Sequence, residues 1–258
     1  MVRRKTPIEE RFANAQRRWM RLLTEFIQLR EKYALLHPML FDNRVEFQHN
    51  VLRKRRGFET LQRSLFLSCC LDIFKLTLDR SSDACMSKSM SDLDDGKLNA
   101  SLKAHYIAAE LKIYEDDEDP VVAAIDRSFA TDRAVEFGRA YDERREGVIE
   151  AWGQVEQGAT FAKCHHIRHN LVAHTRLAGA YFDPIDIRAL GIEFIELKPA
   201  IDLMQALIEE LGGLIHSSGF AWERLSQNLT GAADDFWGVS NMSMNQIVWQ
   251  SGITDTSR

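Results

Sequence analysis

Residues 58–79, FETLQRSLFLSCCLDIFKLTLD, decide the fold class. Leu65, Phe66, Leu67, Cys69, Cys70, Leu71, Ile73, Phe74 and Leu76 leave little polar surface on a helix of this length, and the segment contains neither proline nor glycine. Such a helix needs partners on most sides, which places it at the centre of a helical bundle. The two adjacent cysteines read as small buried side chains rather than half of a disulfide framework, and Cys85 and Cys164 complete a count of 4 that suits a reducing compartment.

Working outward, Thr6-Pro7-Ile8-Glu9 combines a hydroxyl N-cap, a proline at the first helical position and a glutamate three residues after the cap. A long helix is expected from there, with Phe12, Trp19, Leu22, Leu23, Phe26, Ile27 and Leu29 as its apolar stripe, reaching about His37 before Pro38 stops it. The stretch around Arg44 to Lys54 reads as a helical connection. Residues 80–96 are rich in Ser and Asp and end at Gly96, which predicts a mobile connection. Further helices are expected over 97–115, 131–157, 160–178 and 198–217. The acidic run 115–119 reads as a solvated loop, and 183–197 as a turn or short strand. From Gly219 on, Trp222, Phe236, Trp237 and Trp249 suggest a C-terminal piece held by a few aromatic anchors.

The expected architecture is thus all-α, an up-and-down helical bundle over 1–217 with a long N-terminal helix, followed by a C-terminal helical extension over 218–258. Its 258 residues, 45% of them hydrophobic, are enough for a sizeable core, and the five prolines and missing alternating runs argue against sandwiches and barrels. No segment has the roughly 18 to 20 uncharged apolar residues that span a bilayer, and no apolar core follows the basic Met1 to Lys5, so a cytoplasmic protein without membrane association is expected. The net charge of −5 is unevenly spread: residues 1–63 hold 15 Lys or Arg against 7 Asp or Glu. A basic first quarter, with the run Arg53-Lys54-Arg55-Arg56, can attract a polyanion or simply form solvated helix ends.

Gly-rich phosphate loops, His-Glu-x-x-His, Cys-x-x-Cys and Gly-x-Ser-x-Gly are all missing. Chemistry concentrates instead in Cys164-His165-His166-Ile167-Arg168-His169-Asn170-Leu171-Val172-Ala173-His174-Thr175, which holds four of the chain's eight histidines. At about 100° per residue, Cys164, Ile167, Leu171 and Ala178 share one apolar arc, Asn170 and His174 form an i, i+4 pair, and Arg168 lies on the other flank. Arg168 and His174 can also be an ordinary surface arginine and hydrogen-bonded histidine. His165 and His169 are spaced to share a metal ion, but no Asp or Glu in the segment completes a ligand set, so neither metal nor cofactor is expected.

Arg168-x5-His174, with a polar residue soon after the arginine and Ala173 before the histidine, resembles the Arg-x(4 to 6)-His motif of the HEPN superfamily, and IRHNLVAHT is similar to the motif segment of its abortive-infection U-type branch. The apolar helix closing in KLTLD resembles the helix that precedes that segment. The resemblance spans roughly residues 1–215. It implies an all-α bundle that dimerises with its motif helices facing each other and, in active members, a metal-independent endoribonuclease of phage defence or of a toxin-antitoxin pair.

By that resemblance His174 is the general acid or base, Arg168 clamps the phosphoryl transition state, and Asn170 orients the histidine or the phosphate. His169 and His165, with Arg53, Lys54, Arg55 and Arg56, are candidate RNA contacts. The implied partners are RNA, a second copy of the chain, and a neutralising or sensor protein. A toxin branch carries, two residues after the histidine, a tyrosine that a partner nucleotidyltransferase modifies; Arg176 stands there instead. A catalytically silent sensor of RNA or nucleotide, and a helical interaction protein, are the alternatives.

Overall fold

A computed structural model describes residues 7–49, 52–79, 82, 84–115, 129–168 and 191–239. Among the described residues there are nine α-helices and no strand: α1 (Ile8–Phe41), α2 (Asn43–His49), α3 (Leu52–Thr77), α4 (Met86–Asp94), α5 (Gly96–Glu115), α6 (Ala130–Gln157), α7 (Ala159–Ile167), α8 (Leu197–His216) and α9 (Trp222–Trp237). A single 3₁₀ turn, Phe194–Glu196, precedes α8. The all-α reading is therefore borne out. No helix among the described residues is long and apolar enough to cross a membrane.

The chain divides into two compact units, residues 1–28 with 70–220 and residues 29–69 with 221–258. In the first, α5, α6 and α8 pack on one another, α4 packs on α5, and α7 lies against α6 and α8. The reason is visible in the spacing of the buried side chains: Leu98, Leu102 and Tyr106 on α5, Tyr141, Val148, Trp152 and Val155 on α6, and Ile201, Met204, Ile208 and Leu211 on α8 recur every three, four or seven residues. Burial pushes the Tyr141 hydroxyl well above its ordinary pKa, and it donates to Asn99 Oδ1 at 2.8 Å. Trp19 from α1 closes this core, donating from Nε1 to the carbonyl of Ile208 at 3.0 Å. Gly212 is what admits it, since a Cβ there would lie 2.5 Å from Trp19 Cζ2.

The second unit is built on Met39, Val45, Phe58, Trp237 and Val239, with Leu65 packed against them. Trp237 Nε1 donates to the carbonyl of Leu35 at 3.0 Å, and Arg30 Nη2 to Ser226 Oγ at 2.8 Å.

Three expectations change. Pro38 does not stop α1; it sits in the last turn, where the helix gives up one backbone bond and still buries Leu36 and Met39. The Ser- and Asp-rich connection contains α4, whose Met86, Met90 and Leu93 form a buried stripe that the polar composition conceals, with Asp92 held by Arg18. Of the C-terminal aromatic anchors, Trp222 and Trp237 are buried, but Phe236 is 64% exposed. Thr6, Trp249 and the acidic run beyond Glu115 lie outside the described residues.

Candidate functional site

The candidate motif begins on α7. Gly158 makes the sharp break between α6 and α7 possible, because a Cβ there would stand 2.7 Å from the Gln154 carbonyl oxygen and 2.8 Å from Phe161 Cδ2. From that corner Phe161, Cys164 and Ile167, at i, i+3 and i+6, go into the core and fix the rotation of the helix. That rotation leaves His165 and His166 exposed and Arg168 half-buried. The Arg168 N–H bonds back to the carbonyls of Cys164 and His165, so the arginine still belongs to the helical turn.

Both Arg168 and His165 meet one aromatic ring. The Arg168 guanidinium carbon lies over the Phe74 ring, 5.6 Å from its centroid, and the His165 imidazole stacks on the same side chain with centroids 5.1 Å apart and planes 16° apart. Phe74 belongs to the end of α3 and is itself 8% exposed. Among the described residues no carboxylate pairs with Arg168, and the contact its guanidinium makes there is with a ring face.

His169, Asn170 and His174 lie outside the described residues. The basic run falls on the first turns of α3, in the second unit, with Lys54, Arg55 and Arg56 exposed and Arg55 Nε donating to Glu59 Oε1 at 2.8 Å. Arg53 is in the same helix. No group of three or more His, Cys, Asp or Glu among the described residues could hold a metal ion.

A family model, that of the HEPN AbiU2 proteins, matches residues 12–236 of this all-helical chain. The chain belongs to the HEPN AbiU2 family. No curated protein and no solved structure matches it significantly.

Within this HEPN AbiU2 chain, two features of the site escaped the sequence. Phe74 read as one core residue among many, and the only hint was its place in the helix that precedes the motif. The other is a clamp on α7: Lys163 Nζ donates to Glu196 Oε1 at 2.7 Å, while Glu196 Oε2 accepts the Glu193 N–H at 2.6 Å. Burial, the largest single influence on Glu196, pushes its carboxyl up, but Lys163, the Glu193 N–H and the Thr160 hydroxyl together outweigh it and hold the group below its ordinary value of 4.5.

A carboxyl depressed on folding stabilises the fold when it is ionised, so this contribution is present above pH 4.5 and fades as the pH falls through the lower folded value. Wild type is expected to melt above Glu196→Gln at neutral pH, with the gap closing on acidification. A gap that stays constant across the acid range would show that the ionised carboxylate does not hold α7.

Proposed function

We propose that this HEPN AbiU2 chain is a metal-independent endoribonuclease that acts in the cytoplasm as an effector of abortive infection or as a toxin. The observation that carries this reading is the state of Arg168: half-buried at the end of α7, with its guanidinium over the Phe74 ring and without a partnering carboxylate among the described residues. An arginine so held keeps its charge and its donors for a phosphate.

The reaction needs little else. The ribose 2′-hydroxyl attacks the adjacent phosphorus, the bond to the 5′-oxygen breaks, and a 2′,3′-cyclic phosphate and a 5′-hydroxyl result. His174 takes the proton of the 2′-hydroxyl or gives one to the departing 5′-oxygen, and water exchanges the proton at the other oxygen. Arg168 meets the negative charge that grows on the non-bridging oxygens. Asn170, four residues before His174 in the sequence, orients it, and His165 and His169 contact the RNA backbone. Two copies related by a two-fold axis bring the motif helices together, and a neutralising or sensor partner governs the activity.

Arg53, Lys54, Arg55 and Arg56 supply electrostatic attraction for RNA. Their replacement by Ser is expected to weaken RNA binding and to flatten its dependence on salt.

Incubating the purified protein with RNA in excess chelator tests the reading. Cutting under those conditions, by a species near twice 29.6 kDa in light scattering, is the expected result. Failure of wild type to cut would overturn it, and RNA or nucleotide binding that disappears in Arg168→Ala would put a silent sensor in its place.

A further inference from the structure

We infer that Phe74 is the positioning residue for Arg168, a built aromatic platform that sets where the guanidinium stands before substrate arrives. The inference rests on the ribonuclease reading given above and goes past its motif, because Phe74 lies on a different helix, 94 positions earlier in the chain.

Three observations support it. First, one ring meets both described candidates: His165 stacks on it and the Arg168 guanidinium lies over it. His165 and Arg168 are one turn apart on α7, so a single fixed ring sets both side chains together. Second, a contact through the ring face attracts a cation without supplying an acceptor for its N–H groups, which a phosphate oxygen can then take. An acidic partner would orient the arginine equally well but would compete with the phosphate for the same donors.

Third, the backbone under Phe74 is pinned. Its carbonyl accepts the Leu78 N–H at 2.9 Å and the Asp79 N–H at 3.2 Å. The fully buried Thr77 hydroxyl donates to the Ile73 carbonyl at 2.6 Å, and the Thr77 carbonyl accepts the Cys85 thiol at 3.0 Å. The end of α3, where carbonyls are normally left over, is therefore tied down by its own turn and by the residue that starts α4. Lys75 adds an ion pair to Glu25 of α1 at 2.6 Å. These bonds fix the backbone at the point where the ring meets the arginine.

The test compares Phe74→Leu, which keeps apolar volume but loses the ring, with Phe74→Tyr, which restores it. Phe74→Leu is expected to lower kcat for RNA cleavage by about 5- to 30-fold with KM little changed, the loss that follows from giving up a partly desolvated cation–π contact. Phe74→Tyr is expected to recover most of that loss, and in an Arg168→Ala background Phe74→Leu is expected to lower kcat little further, since what remains of the ring's effect passes only through His165. Circular dichroism and melting confirm that both variants are folded.

A second readout does not depend on cleavage. In protein with ¹⁵N-labelled arginine, the Arg168 side-chain resonance, assigned by its disappearance in Arg168→Lys, is expected to carry a ring-current shift that is lost in Phe74→Leu and regained in Phe74→Tyr. If wild type cuts no RNA, the ribonuclease reading fails and the resonance alone decides the platform. A folded Phe74→Leu protein with wild-type kcat, or an Arg168 resonance indifferent to residue 74, overturns the inference.

Discussion

Arg168→Ala is expected to slow RNA cleavage by about 30- to 1,000-fold, equivalent to about 2 to 4 kcal/mol of transition-state stabilisation. The size follows from the role proposed for the residue. As the 2′-oxygen closes on phosphorus, charge accumulates on the non-bridging oxygens, and a guanidinium already held in place needs no reorganisation to meet it. The loss should fall mainly on kcat, because the charge it meets belongs to the transition state more than to bound RNA. Arg168→Lys should recover only part of the rate, since an ammonium cannot fork onto two oxygens as a guanidinium does. His174→Ala should reduce cleavage to background and remove any growth arrest. Both proteins should stay folded and keep the oligomeric state of wild type, which circular dichroism and light scattering check. Wild-type rates in both variants would exclude these residues from the chemistry.

The second large effect concerns the scaffold. Trp19 is 4% exposed, donates to the Ile208 carbonyl, meets the His216 ring at 4.8 Å between centroids, and lies where Gly212 lacks a side chain. Trp19→Ala removes a large buried side chain from a slot whose walls are helices α1 and α8, and such a slot collapses poorly. The expected cost is about 3 to 5 kcal/mol, a large share of the 5 to 15 kcal/mol that typically holds a domain together. Denaturant unfolding should register it as a lower midpoint. Trp19→Phe, which keeps most of the ring contact and loses the indole N–H, should cost clearly less. A Trp19→Ala protein within about 1 kcal/mol of wild type would contradict the packing described for the first unit.

The helices that were easiest to read from the sequence are those whose apolar residues lie on one stripe and whose ends carry no competing signal. The expected ranges 97–115, 131–157 and 198–217 differ by a single residue from the starts of α5 (Gly96–Glu115), α6 (Ala130–Gln157) and α8 (Leu197–His216). Local composition misled where tertiary burial outweighs it. Serines and aspartates favour turns, but Met86, Met90 and Leu93 have a core to enter, and that burial turns the segment into α4. Pro38 carries a penalty that a final helical turn can absorb. Phe236 has the composition of an anchor and the wrong side of α9, since Trp237 and Ala233 take the buried face.

The site divides in the same way. The histidine-rich run, taken with its resemblance to the HEPN motif, singled out Arg168 and His165 as candidates, and its apolar arc located Cys164 and Ile167 as the buried edge. Phe74 could not be read from any pattern. A phenylalanine on an apolar helix has the same signature whether it fills a core or faces a guanidinium, and only the packing of α7 near the end of α3 separates the two roles.

End-group analysis of the RNA products tests the central claim most directly. Wild-type protein in excess chelator should yield fragments ending in 2′,3′-cyclic phosphate on one side and 5′-hydroxyl on the other, with no such products from His174→Ala. Fragments bearing 5′-phosphate and 3′-hydroxyl ends, formed only when divalent metal is restored, would contradict it, because a metal-activated water and not the ribose hydroxyl would then be the nucleophile.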